Sequence, residues 1–275
     1  MSYQHYLQWK ITPNTNAPYL SILIPTYNDE TRIVPTIGAI ASSIANLGLT
    51  WELIIVDDSS TDETVIAVEK LDLANVRVIR MPKQSGKNAA VQCAMEDARG
   101  TYVLLTDAGH ATPIEELEKL LNKLKNHAFD LAVGSRIIAT RGNSRSPLQR
   151  WGRRGIHKLI RHAFTFDIRD AFCGFRLFTR EVGQSLYAQH TFTDEHFSDL
   201  EIVYLATRLG YRIAEVPVTW IHTSRATPYP TGTIRQYLVG LLKMKHHERL
   251  GKYHLPQTLS SNEQVSAPTT QQHHS

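Results

Sequence analysis

Cysteine is almost missing from this chain of 275 residues: Cys93 and Cys173 are the only two, far apart and in no metal or redox spacing. A disulfide framework has no basis here, and both residues read as small apolar packing groups. Long apolar runs are missing too. None approaches the roughly 20 residues a helix needs to span a bilayer, and no charged-then-apolar leader follows Met1, so a soluble cytoplasmic protein is expected. Acids are scarce in one region. Between Ser135 and Arg180 eleven Lys or Arg face only Asp167 and Asp170, although the whole chain carries a formal charge of only +4. Such a block attracts polyanions, phosphorylated substrates or anionic lipid, and composition does not choose among them. Aromatic side chains are not interleaved there as stacking platforms, so no nucleic-acid partner is expected.

What is present is a rhythm. Leu20 to Ile24 and Leu53 to Val56 are apolar runs too short for helices and followed by turn-forming residues, so both read as strands buried on two faces. Helices are expected over Glu30 to Leu47 and Asp62 to Leu71, the second opened by a capping box of Ser60 and Glu63. The pattern repeats with strands at Val76 to Ile79, Tyr102 to Leu105 and Leu131 to Val133, and helices at Gly86 to Ala98 and Pro113 to Lys125. Alternation of this kind implies parallel pairing.

After Gly134 a long Arg-rich stretch, Ile138 to Leu148, precedes an expected helix from Gln149 to Phe164. A strand at Phe175 to Phe178, a helix at Asp199 to Leu209 and a strand at Arg212 to Val216 follow. A last helix, Thr233 to Leu250, carries Ile234, Tyr237, Leu238, Leu241 and Leu242 at helical spacing among Arg235, Lys243, Lys245 and Arg249. Packing on the core is the favoured reading for it, with a membrane surface as the alternative. The expected organisation is an extension at 1–18, one α/β domain at 19–250 and a disordered tail at 251–275. Within the domain, 19–134 is the nucleotide-binding half and 135–250 the acceptor half.

The loops after the first two strands open at one rim, where open α/β sheets bind nucleotides, and Asp57 and Asp58 sit there. SGKN is no phosphate loop of the Walker kind, because Met81 stands where a glycine is required. On the residues alone, Lys87 reads as a solvated lysine opening a helix.

In order along the chain, the segments IPTYNDE, VDDSSTDET, SGKNAAV, LLTDAGHATP, VGSR, DAFCGFRLFTRE and SDLEIVYLATRLGYRIAEVPVTW resemble the family 2 glycosyltransferases of GT-A fold. The likeness covers about Tyr19 to Trp220. DAGHATPIEE, CGFRLF and IAEVPVTW look most like the dolichyl-phosphate glucosyltransferase and dolichyl-phosphate mannose synthase branch. The resemblance implies a GT-A sheet, mostly parallel with helices on both faces, and inverting transfer of a hexose to a polyprenyl phosphate. UDP-glucose is favoured as donor, with GDP-mannose as the other choice.

It also implies roles for residues. Pro25, Thr26, Tyr27 and Asn28 would wall the nucleotide pocket, and Asp57 would accept a hydrogen bond from the base, a role that competes with capping near Ser59. Lys87 would meet ribose or diphosphate. Asp107 would hold Mg²⁺ or Mn²⁺, although the family's second carboxylate is Gly109 here; His110 or water would complete the site. Arg136 would face the acceptor phosphate with Arg150, Arg153 and Arg154 as further candidates. Asp199, beside Glu201, would orient the acceptor or cap its helix, since a phosphate needs no base. Asp170 would support the loop between the two substrates, and Gly174 would allow close approach.

Two other functions stay open: transfer to a saccharide hydroxyl, or a nucleotide-sugar-binding homologue with impaired catalysis. For the leading function, transient attachment to the cytoplasmic membrane face is expected, because the acceptor is a lipid and the chain is basic near its acceptor half.

Overall fold

The computed structural model describes residues 17–125, 128–136, 168–189, 195–221 and 234–253. The short apolar runs become strands. Among the described residues these are β1 (Leu20–Thr26), β2 (Trp51–Asp57), β3 (Val76–Arg80), β4 (Tyr102–Leu105), β5 (Leu131–Ser135), β6 (Arg176–Thr179) and β7 (Ile213–Pro217). Between them run α1 (Glu30–Leu47), α2 (Thr64–Glu69), α3 (Lys87–Asp97), α4 (Leu117–Leu124, entered through a 3₁₀ turn at Ile114–Glu116), α5 (Arg180–Ala188), α6 (Glu195–Arg208) and α7 (Ile234–Arg249). Every residue of β2, β4 and β5 is buried, which requires cover on both sheet faces. Each fully buried Leu or Ile there contributes about 1.5–3 kcal/mol relative to exposure.

The strands form one sheet in the order β3-β2-β1-β4-β6-β5-β7. Pairing is parallel except around β6, which runs antiparallel to both β4 and β5. The mostly parallel sheet expected from the sequence is observed, and β5 does not neighbour β4, because β6 is inserted between them. Periodicity marks a strand but not its direction, which depends on the edge from which the chain re-enters the sheet.

The reversal matters for position. Arg176, the first residue of β6, lies in register with Leu105 at the end of β4 and with Val133 near the end of β5. It therefore stands at the rim where the parallel strands finish.

Several local expectations are revised. Ser60 and Glu63 form no capping box: α2 begins at Thr64 and Glu63 makes no side-chain cap. Ser60 Oγ instead accepts the Asn28 N–H at 2.9 Å, Asp62 accepts that of Glu30 at 3.2 Å, and Glu30 accepts that of Glu63 at 3.1 Å. The two loops cap one another's helices across a sequence gap that no local pattern registers. Hydrogen bonds from Thr64 and Glu30 hold the Asp62 carboxyl below the usual range, against burial acting the other way. The packed fold also continues past residue 250, since Tyr253 is buried and donates to Glu201 at 2.7 Å.

At the opposite rim Glu52, buried in β2, accepts from Ser21 Oγ, the Arg99 backbone and the Arg99 and Arg77 guanidinium groups. Gly100 is forced there: a Cβ would lie 2.4 Å from the Ser21 nitrogen.

Candidate active site

Among the described residues, nine buried side-chain polar atoms lack a hydrogen-bond partner, and five of them border the strand C-terminal rim. They are Thr26 Oγ1, Asp57 Oδ1, Asn88 Nδ2, Ser135 Oγ and Arg176 Nη1. A buried polar group without a partner costs about 1–3 kcal/mol, so their concentration marks where the fold is arranged for something other than its own stability.

On the expected donor side, Thr26 and Asp57 are register partners at the ends of β1 and β2. Asp57 Oδ2 accepts the Ser60 N–H at 3.0 Å while Oδ1 stays unpartnered, so the carboxylate caps the turn with one oxygen and presents the other. The capping role weighed for it is observed, and one oxygen is left over. Asn28 takes a left-handed backbone (φ 53°) and its Oδ1 accepts the Thr61 N–H at 2.9 Å, joining the two loops. Pro25 is half-buried, and Tyr27 is exposed beside this pair of loops.

Asp58 grips the next loop. It is buried, and its two oxygens accept the backbone N–H groups of Ser85 at 2.7 Å and Gly86 at 2.8 Å. This fixes the start of α3, where Lys87 and Asn88 occupy the first turn. A Cβ on Gly174 would sit 3.4 Å from Lys87 Nζ, so the lysine reaches across to the turn before β6. That is ordinary contact, and Gly174 is not required by sterics.

Asp107 follows β4 and is exposed. Its Oδ1 accepts the N–H groups of Gly109 (2.9 Å) and Ala111 (3.3 Å), and Oδ2 has no partner among the described residues. His110 has a left-handed backbone (φ 50°), and its Nε2 accepts the Ile114 N–H at 2.9 Å. A neutral imidazole accepting at Nε2 carries its proton on Nδ1, so His110 here caps the 3₁₀ turn and offers no free electron pair. Thr36 of α1 and Ile221 tie down the same loop through the carbonyls of Ala108 and Ala111. No group of three His, Cys, Asp or Glu able to hold a metal occurs among the described residues. One open carboxylate oxygen suits Mg²⁺, which keeps several waters and takes its remaining ligands from substrate phosphates.

On the expected acceptor side, Arg136 follows β5 with its Nε and Nη2 forked onto Asp170, each at 2.9 Å, and its N–H also donates to Asp170. Asp170 is fully buried, and Glu215 accepts its N–H and that of Arg169. Arg150, Arg153 and Arg154 lie outside the described residues, as do the long Arg-rich loop and the helix expected after it. Cys173 is buried between these groups, where desolvation and the Asp170 charge push its thiol up to about 12; the packing role read for it from sequence fits.

Arg176, read from sequence only as one of the basic residues of its region, is a further charged residue at this rim. Its side chain is fully buried, donating to the carbonyls of Ala171 (2.7 Å), Cys173 (2.9 Å) and Asp199 (3.1 Å), with the Asp199 carboxylate at 3.2 Å. A charge inside an apolar run, as in CGFRLF, was the available signal. Helix α6 starts at Glu195, so Asp199 lies inside it and does not cap it. Ser198 Oγ donates to Asn88 Oδ1 at 2.5 Å, joining α6 to α3. Glu201 is buried and engaged by Tyr253, which makes it structural.

A mostly parallel sheet thus gathers carboxylates, guanidinium groups and partnerless polar atoms along one rim. Residues 21–186 match the family described as Glycosyl transferase family 2, and the chain belongs to that family. It is 34% identical over 216 residues to a dolichyl-phosphate beta-glucosyltransferase of Trichomonas vaginalis, covering 74% of this chain and 64% of that protein. It is 32% identical over 267 residues to the human dolichyl-phosphate beta-glucosyltransferase, covering 88% and 80%.

Among solved structures it resembles glucosyl-3-phosphoglycerate synthase of Mycobacterium tuberculosis in complex with Mn²⁺, UDP and phosphoglyceric acid. The TM-score is 0.60 at 20% identity, over 82% of this chain and 78% of that one. A mannosyltransferase of Pyrobaculum calidifontis in complex with GDP-Man and Mn²⁺ gives a TM-score of 0.55 at 20% identity, over 92% and 71%. Identities this low bear on fold alone.

Proposed function

We propose that this enzyme moves glucose from UDP-glucose to the phosphate of a polyprenyl lipid with inversion at the anomeric carbon. The observation that carries the reading is that Asp57, Asp107 and Arg136 end or follow three strands, β2, β4 and β5, at one rim of one sheet. The named relatives supply the sugar and the lipid class. Asp57 Oδ1 would accept the imide N–H of uracil, and Tyr27 and the Asn28 loop would flank the base. Lys87 would face the diphosphate. Asp107 Oδ2 would hold Mg²⁺ or Mn²⁺, which when bound offsets the negative charge developing on the departing diphosphate.

An oxygen of the lipid phosphate would attack the anomeric carbon while the bond to the donor's β-phosphate oxygen breaks, the electron pair leaving with UDP. No proton needs to move, which accords with an Asp199 engaged by Arg176 and not free to serve as a base. Transfer to a sugar hydroxyl gains no support from that geometry. Arg136 would orient the incoming phosphate, its charge tempered by Asp170.

No helix among the described residues is long and apolar enough to cross a membrane. Attachment to an anionic leaflet would use α7, whose Met244 is buried towards the core while Val239 and Leu242, and Leu250 just after the helix, are exposed beside exposed Lys243, Lys245 and Arg249. The test is incubation of pure protein with radiolabelled UDP-glucose or GDP-mannose, a short polyprenyl phosphate, and each metal or chelator. Label in the lipid phase from UDP-glucose alone is expected; transfer only to saccharide, or none, would sink the proposal.

A further inference from the structure

Resting on that donor and acceptor reading, we propose that Arg176 is a positioning residue that sets the acceptor arginine and the donor lysine by shaping one turn, Asp170 to Gly174. Its guanidinium donates to two carbonyls of that turn, those of Ala171 and Cys173, and to Asp199 on α6. The turn carries at one end the buried Asp170, which takes three hydrogen bonds from Arg136, and at the other Gly174, against which Lys87 Nζ lies. Arg176 itself belongs to β6, in register with β4 and β5, so the turn is referenced to the centre of the sheet. The neighbouring Ser198 is held to Asn88, next to Lys87, so α6 links the same two substrate sides a second time.

A buried cation is costly, and an apolar side chain at this strand position would pack more favourably unless the charge served a purpose. The guanidinium plane explains why arginine serves it: Nε meets the Cys173 carbonyl while Nη2 turns to Ala171 and Asp199, a spread over two nitrogens that the single ammonium of lysine lacks. Nη1 makes no well-aligned hydrogen bond among the described residues, while the guanidinium acts on the Tyr187 hydroxyl both by charge and as a hydrogen-bond donor. Burial is what chiefly raises that phenol.

The experiment uses the full chain with Arg176→Lys, Asp199→Asn and Lys87→Ala, and the double variant of Arg176→Lys with Lys87→Ala. Circular dichroism and thermal melting select variants that stay folded; Asp199→Asn keeps the backbone carbonyl and serves if Arg176→Lys does not fold. UDP affinity is measured by calorimetry, and kcat and KM for UDP-glucose and a short polyprenyl phosphate by radiolabel transfer. Misplacing a positioned group by about an ångström can cost up to ~100-fold, so kcat is expected to fall about tenfold or more, with KM rising for both substrates. Loss of UDP affinity in the double variant should not exceed that of Lys87→Ala, because both changes act through one group.

A folded Arg176→Lys or Asp199→Asn with unaltered kinetics, or UDP losses that simply multiply in the double variant, would overturn the assignment. Failure of the unmodified chain to bind UDP would instead remove the donor reading, and this inference with it.

Discussion

Asp58 holds Gly86 by its backbone, Oδ2 accepting the glycine N–H at 2.8 Å while Oδ1 takes that of Ser85 at 2.7 Å. A carboxylate at the end of one strand thus shapes the loop that would face the diphosphate. Asp58→Asn puts an N–H₂ group against one of those amides and leaves it unpartnered, at about 1–3 kcal/mol. Calorimetry should show UDP binding about tenfold weaker with the sheet intact; wild-type affinity would refute the loop's role.

Arg136 and Asp170 form a pair in which the acid is fully buried and the arginine nearly so, at 16% side-chain exposure. Removing the cation with Arg136→Ala strands a buried charge, at about 3–5 kcal/mol, and mixes folding with function. Arg136→Lys keeps the charge and loses the fork. Steady-state kinetics on that variant should show a rise in KM for polyprenyl phosphate several-fold larger than for UDP-glucose. Equal rises would place Arg136 away from the acceptor.

Asp107 offers one unengaged oxygen, and Gly109 stands two residues on, where the resemblance implies a second carboxylate. Asp107→Asn should make UDP binding indifferent to Mn²⁺, whereas Gly109→Asp should strengthen the metal-dependent part. Titration with and without chelator reads both. Retained metal dependence in Asp107→Asn would move the ion elsewhere.

Glu52 has its carboxyl held below the usual range: burial opposes ionisation, but hydrogen bonds from Ser21 and Arg99 and the Arg99 charge outweigh it. The folded value thus lies under the unfolded value of about 4.3, and the unfolded chain binds the extra proton between the two. Its stabilisation is complete above the unfolded value and declines as pH falls through the folded one. Urea titrations from pH 7 to pH 3 should show the advantage of wild type over Glu52→Gln shrinking in that acidic window. A constant difference would show that ionisation of Glu52 does not contribute.

Exposed Leu242 on α7 gives a direct test of surface attachment. Leu242→Ser should weaken co-sedimentation with anionic vesicles at low salt, and raising the salt should release the unmodified protein. Binding that ignores both would separate α7 from the membrane.

Most strands were legible because burial on both sheet faces leaves short continuous apolar runs, and the helix expected from about Glu30 to Leu47 is observed over Glu30–Leu47. The rim acids were legible for a related reason, since a polar residue that ends such a run must sit where the sheet opens. Arg176 was legible only as one of the basic residues of its region. The Ser60 capping box was misread because the true partner of Ser60 is Asn28, in a separate loop.

What the sequence determined by itself was the class of fold and the rim at which polar side chains gather, because both follow from local patterns of apolar and polar residues. Only the tertiary structure decided the reversal of β6, the pairing of Arg136 with Asp170, the engagement of His110 by Ile114 and the burial of Arg176. The strand reversal, the Arg136–Asp170 pair and the Arg176–Asp199 contact depend on segments far apart in the chain meeting at fixed distance, and the His110–Ile114 bond on the folded shape of one loop; neither leaves a trace in the spacing of neighbouring residues.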